Sequence, residues 1–164
     1  MFSVDDVDID DDRSSTSTQP QLVLSSSQLN EALIEAVCEG SILKVQSLLD
    51  QHADIHTRTG DMRETPLHLA SKNGHHQCIE LLLDRLADTN ARCWYSCTPL
   101  HEASKYGHLQ CIELLLDRHA NINARCCASF TPLHEASFYG HHQCIELLID
   151  HGADKSIINV RLVS

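Results

Sequence analysis

Two patterns of apolar and polar positions alternate along the chain from Leu29 onward. The first is seen in TPLHEASKYG, Thr98 to Gly107, where Leu100 and Ala103 stand three apart on one face of a short predicted helix. The second follows in HLQCIELLLDR, where Cys111, Ile112, Leu115 and Leu116 fall at i, i+1, i+4 and i+5 and predict a helix with a wide apolar stripe. The polar letters set the ends. Threonine suits the N-cap because its hydroxyl accepts from a backbone amide that the helix leaves unpaired, and the proline after it lacks the amide that would be orphaned there. Glycine at the far end, as at Gly107, supplies the positive φ that stops a helix. Between pairs, a segment such as ANINARCCASF reads as an extended excursion and turn. Neither helix of a pair buries its stripe alone, so neighbouring pairs must stack into a quasi-one-dimensional array.

The array has a period of 33 residues: Thr65, Thr98 and Thr131 align, as do Gly74, Gly107 and Gly140, and then Cys78, Cys111 and Cys144. A diverged earlier copy holds Gly40 and Asp50, 34 residues before Gly74 and Asp84, with the extra residue in the loop ahead of Thr65. This period, with the box T-P-L-H-x-A, resembles the ankyrin repeat. The resemblance covers Leu29 to Asn159. It implies an all-α, ankyrin-type helical solenoid of four helix-turn-helix repeats with extended finger loops, at residues 31–64, 65–97, 98–130 and 131–159. The repeat domain is thereby placed at residues 29–164. It closes on a short C-terminal tail in which Ile157, Ile158 and Leu162 form an apolar lid, unless the chain is a shortened form of a longer one.

Some letters depart from the family pattern. Arg63, Ser96 and Ser129 stand where glycine usually precedes the box threonine by two, which predicts less regular hairpin turns. His52, Leu86 and His119 replace a loop glycine kept only as Gly152, and a leucine at positive φ is strained.

Composition narrows the function classes. Residues 1–28 carry Asp5, Asp6, Asp8, Asp10, Asp11 and Asp12 against Arg13 alone, followed by SSTSTQPQ and SSSQ, and are predicted to be a disordered acidic, Ser-rich tail. The whole chain has a formal net charge of -11, which excludes nucleic acid as a partner because phosphate binding needs a basic face. No apolar run approaches the roughly 18 residues of a membrane helix, and no leader pattern follows Met1. The expectation is a soluble monomer in the cytoplasm, the nucleus or both, with no membrane partner.

Histidines and cysteines invite a reading as zinc or thiol chemistry, and stacking geometry argues against it. Equivalent positions of adjacent repeats sit about one helix-packing distance apart, roughly 8 to 10 Å. Zinc needs ligands at about 2.0 to 2.3 Å and a disulfide needs Cα atoms within about 7 Å. Cys78, Cys111 and Cys144 are therefore small core residues. Cys93, Cys97, Cys126 and Cys127 fall in two fingers, where free thiols are the plain reading and a zinc site bridging two fingertips the alternative. For His68, His101 and His134 the resemblance implies an imidazole tying one loop to the next. No cofactor, metal or catalytic residue is expected.

The letters that change from copy to copy carry the functional reading. The resemblance implies that varying positions on the fingers and on the exposed side of the first helix meet partners. Six of the seven aromatic residues fall there: Trp94, Tyr95, Tyr106, Phe130, Phe138 and Tyr139, with Lys105 and Met62 among the neighbouring variable positions. The expected function is a protein-binding module or adaptor that is not an enzyme and uses its concave face and finger loops. Alternatives are a substrate receptor of a cullin-type ubiquitin ligase, because Cys111-Ile112-Glu113 is similar to the SOCS-box subfamily although the box itself is absent here, or a transcriptional cofactor. Asn90 and Asn123 stand eight residues after Leu82 and Leu115, an arrangement that resembles ankyrin repeats hydroxylated on asparagine.

Overall fold

The computed structural model describes residues 23–156, and among them the chain forms eight helices and no strand. They are α1 (Ser26–Glu39), α2 (Ile42–Asp50), α3 (Pro66–Asn73), α4 (His76–Asp84), α5 (Pro99–Tyr106), α6 (Leu109–Asp117), α7 (Pro132–Tyr139) and α8 (His142–Asp150). Each odd helix packs on the even helix that follows it, the odd helices stack in series α1, α3, α5, α7, and the even ones in series α2, α4, α6, α8. The core fills the space between these two layers. Leu33, Leu67, Leu100 and Leu133 repeat on the odd helices, and Leu82, Leu115 and Leu148 on the even ones, all almost wholly removed from water. Cutting one such leucine back to alanine costs about 2–5 kcal/mol. Cys78, Cys111 and Cys144 lie in the same core as small apolar side chains.

One boundary moves. Residues 25–28, assigned from composition to a disordered tail ending at 28, instead open α1. The Ser25 hydroxyl accepts from the Gln28 amide at 3.3 Å, and the Gln28 carboxamide accepts from the Ser25 amide at 2.9 Å. This reciprocal capping box satisfies two amides that the helix cannot pair internally, and buried Leu29 and Leu33 anchor the turn that follows. The rest of the acidic segment, residues 1–22, and the apolar lid of Ile157, Ile158 and Leu162 lie outside the described residues.

The TPLH boxes close with a histidine. The Thr65 amide donates to Nδ1 of His68 at 3.2 Å, and the Thr65 hydroxyl lies 2.8 Å from the same nitrogen. Since Nδ1 accepts, the ring proton sits on Nε2 and donates to the Cys97 carbonyl at 3.0 Å. His101 repeats the arrangement, with Thr98 behind it and the Phe130 carbonyl 3.0 Å ahead. The boxes at Thr65 and Thr98 thus fasten their helices to the finger that leads into the next repeat. Burial lowers the His101 pKa to about 4, and His68 is lowered for the same reason.

A second set of histidines crosses between repeats in the opposite sense. His75, His108 and His141 donate through Nε2 to the carbonyls of Cys38, Lys72 and Lys105, each at 3.0 Å, and so satisfy carbonyls left open at the ends of α1, α3 and α5. Their rings lie flat against Gly40, Gly74 and Gly107, where no Cβ fits.

Finger turns are regular despite the missing glycines. Arg63, Ser96 and Ser129 all adopt positive φ, at 52°, 58° and 61°, and His52, Leu86 and His119 do the same at 68°, 66° and 63°. The expectation of irregular hairpins is therefore corrected: the backbone keeps the glycine conformation and the substituted side chain bears the strain. Bonds across the turns hold it, such as Cys93 amide to Cys97 carbonyl at 3.0 Å and Cys126 amide to Phe130 carbonyl at 2.9 Å.

Candidate functional site

Arginine side chains staple the fingers side by side. Arg58 donates through Nη1 to the Arg63 carbonyl in its own finger at 3.0 Å and to the Arg92 carbonyl of the next at 2.8 Å. Arg92 does the same toward Ser96 and Arg125, at 3.1 and 2.9 Å. At the tips, the Trp94 amide donates to the Met62 carbonyl and the Cys127 amide to the Tyr95 carbonyl, each at 2.9 Å. Met62, Trp94 and Tyr95 are thereby fixed on one ribbon of adjacent tips. All three are exposed, Trp94 to 63%. Phe130 does not join them: it is half buried, stacked on His134 with centroids 5.5 Å apart and planes 8° from parallel.

The second group lies at the C-terminal ends of α5 and α7. Tyr106 and Tyr139 stack on His108 and His141 with centroids 6.4 Å apart, so the same imidazoles that tie the repeats also support the tyrosines. Lys105 reaches between them, its Nζ 5.6 Å from the Tyr106 ring centre and 5.9 Å from that of Tyr139. Phe138 meets Tyr139 edge to face at 5.1 Å and is 76% exposed. An odd helix of 8 residues separates this group from the fingers, a span of about 12 Å.

Between the two groups runs a row of charge on α3, α5 and α7. Lys72 pairs with Glu64 at 3.4 Å. Glu102 and Glu135 occupy equivalent positions one repeat apart and are half buried. Burial raises the pKa of both carboxyl groups; for Glu102 the neighbouring Glu64 raises it further while Lys105 and Lys72 pull it down.

The two asparagines named as hydroxylation candidates brace the outer loops. The Asn90 carboxamide accepts from the Asn121 amide at 2.7 Å and donates to the His119 carbonyl at 3.3 Å, and Asn123 accepts from the Asp154 amide at 3.0 Å. Asn30, on α1, makes a similar bond from a different place, accepting from the Asp54 amide at 2.7 Å.

All eight cysteines are free. Among the described residues no three His, Cys, Asp or Glu side chains are placed to hold a metal ion, so the four finger thiols are not gathered into a ligand set. Burial pushes the Cys97 thiol up, with Cys93 and Cys126 nearby adding to it, and burial alone takes Cys111 to about 12. A thiol reagent added to the native protein should label the exposed Cys38 and Cys127 first and leave Cys78, Cys111 and Cys144 unmodified until denaturant is added. Labelling of the three core thiols at the same rate as Cys127 would contradict the packing described above.

Sequence reasoning missed the cross-repeat histidines His75, His108 and His141 and the finger arginines. Their signal is the repeat spacing itself: both sets recur once per repeat at fixed places.

Comparison with known families gives a match over most of the repeats. A family model described as ankyrin repeats (3 copies) aligns with residues 33–126 and again with residues 97–159. No curated protein matches the chain. Among the described residues no helix is long and apolar enough to cross a membrane.

Proposed function

Because the chain belongs to the ankyrin-repeat family, whose members are in general non-enzymatic modules for protein–protein interaction, we propose that it is an adaptor gripping a partner protein with its fingers and concave face. The observation that carries the reading is the placement of the aromatic side chains. Trp94, Tyr95, Tyr106, Phe138 and Tyr139 are exposed while none of the core positions is aromatic. Isolated apolar residues on a surface need no explanation, but five exposed rings and Met62 gathered on neighbouring repeats support a binding surface there. Aromatic side chains supply most of the energy of such interfaces because they bury a large area with few torsions to freeze. The eight free thiols support a reducing compartment, cytoplasm or nucleus.

Proximity labelling with the intact chain and with a Trp94→Ala, Tyr106→Ala variant identifies the candidate partner, and titration then measures its affinity. Each single alanine variant should weaken binding by about 2 kcal/mol, roughly thirtyfold, with the melting temperature almost unchanged. Variants that bind the partner as the parent does would overturn this assignment of the face.

A further inference from the structure

The face between the two aromatic groups holds more carboxylates than ammonium groups. Three carboxylates, Glu64, Glu102 and Glu135, lie with two ammonium groups, Lys72 and Lys105. Lys72 is paired with Glu64, and Lys105, held over the two tyrosine rings, acts on Glu102 and Glu135 only at a distance. Among the described residues neither Glu102 nor Glu135 forms an ion pair.

The position itself does not require a carboxylate. Leu69 occupies it on α3 and is buried. Half-burying two carboxylates side by side where a leucine fits is unfavourable in the free protein, because each loses hydration and each repels the other. Residues that weaken the free state in this way are characteristic of sites completed by a ligand.

We infer that the segment docking on this face is basic, and that it places an arginine over Glu102 and Glu135 between the finger rings and the Tyr106–Tyr139 pair. The inference rests on the interface reading above and specifies its partner chemistry. A guanidinium suits the place because its plane stacks on aromatic rings while its fork engages carboxylate oxygens. The net charge of -11 also steers a basic partner toward the chain and disfavours an acidic one.

Selection of random displayed peptides on the full chain tests this, using the parent, a Glu102→Gln, Glu135→Gln variant and a Trp94→Ala variant. Peptides retained by the parent should be enriched in arginine over the input, and the glutamine variant should lose that enrichment. An arginine peptide so selected should bind the glutamine variant roughly thirtyfold more weakly, as when one partner of a desolvated charge pair is removed. The same variant should melt at an equal or higher temperature, which a merely structural role for the glutamates would not give. No basic bias in the parent's peptides, or the same bias in the glutamine variant, overturns the inference. If the bias is absent but Trp94→Ala still abolishes selection, the interface stands without its basic partner. Retention of the same peptides by Trp94→Ala overturns the interface itself, and retention of no peptide by the parent overturns both.

Discussion

Gly107→Ala should lower the melting temperature far more than Gly140→Ala, although both glycines have φ of 75°. An alanine in that left-handed conformation costs about 1–2 kcal/mol wherever it stands. Among the described residues nothing lies within 4 Å of a Cβ added at Gly140, so the backbone term alone is expected there. At Gly107 the Cβ would sit 2.5 Å from Nδ1 of His141. That ring is held by its bond to the Lys105 carbonyl at 3.0 Å and by Tyr139 stacked on it. Relieving the clash means giving up the hydrogen bond or parting α5 from the next repeat, which adds about 1–3 kcal/mol for overpacking and about 1 kcal/mol for the bond. Thermal unfolding followed by circular dichroism separates the two terms. Equal losses in the two variants would mean that the imidazole swings aside freely and does not clamp the repeats.

Acid should destabilise the fold between pH 6.5 and 4 through His101. Its ordinary pKa is 6.5 and burial lowers it to about 4, so in this window the unfolded chain binds a proton that the folded chain refuses. Stability from His101 is therefore complete above pH 6.5 and drains as pH falls toward 4, by up to about 3 kcal/mol. His68 shifts in the same direction and adds to the loss. Glu102 and Glu135 oppose it, because a carboxyl group whose pKa is raised on folding takes up its proton more readily in the folded state. Urea midpoints at pH 7 and pH 5 measure the sum. In His101→Gln the loss between those two values should shrink clearly, though the variant starts less stable without the bond to Phe130. An unchanged pH dependence would remove His101 as its source.

The helices and the core were legible in the sequence because each repeat states them again: the leucines and cysteines recur at one spacing and bury together. The start of α1 was not, since Ser25 to Gln28 looks like the end of a polar stretch until the reciprocal cap is seen. The recurrence of His75, His108 and His141 marks their places, but their role was hidden for a different reason. A histidine heading a helix resembles an ordinary solvated residue, and its partner is a backbone carbonyl one repeat away that no side-chain pattern marks. At the candidate site the variable positions pointed to Trp94, Tyr95, Tyr106, Phe138 and Tyr139, which are exposed. They could not show that Phe130 folds onto His134, nor that the rings split into two groups with carboxylates between, because both depend on neighbours from another repeat.

The pairing of a histidine with the preceding repeat's glycine also bears on how such a chain lengthens or shortens. Every inner unit carries a ring on one flank and a bare backbone notch on the other, and the match is the same at Gly40 with His75, Gly74 with His108 and Gly107 with His141. A gene duplication or deletion of one whole repeat leaves each notch facing a ring, and the 34-residue first interval keeps the match because its extra residue falls in the loop ahead of Thr65. Copy number is thus free to drift under selection for binding, while the seating of each repeat on the one before it is held by a single missing methyl group.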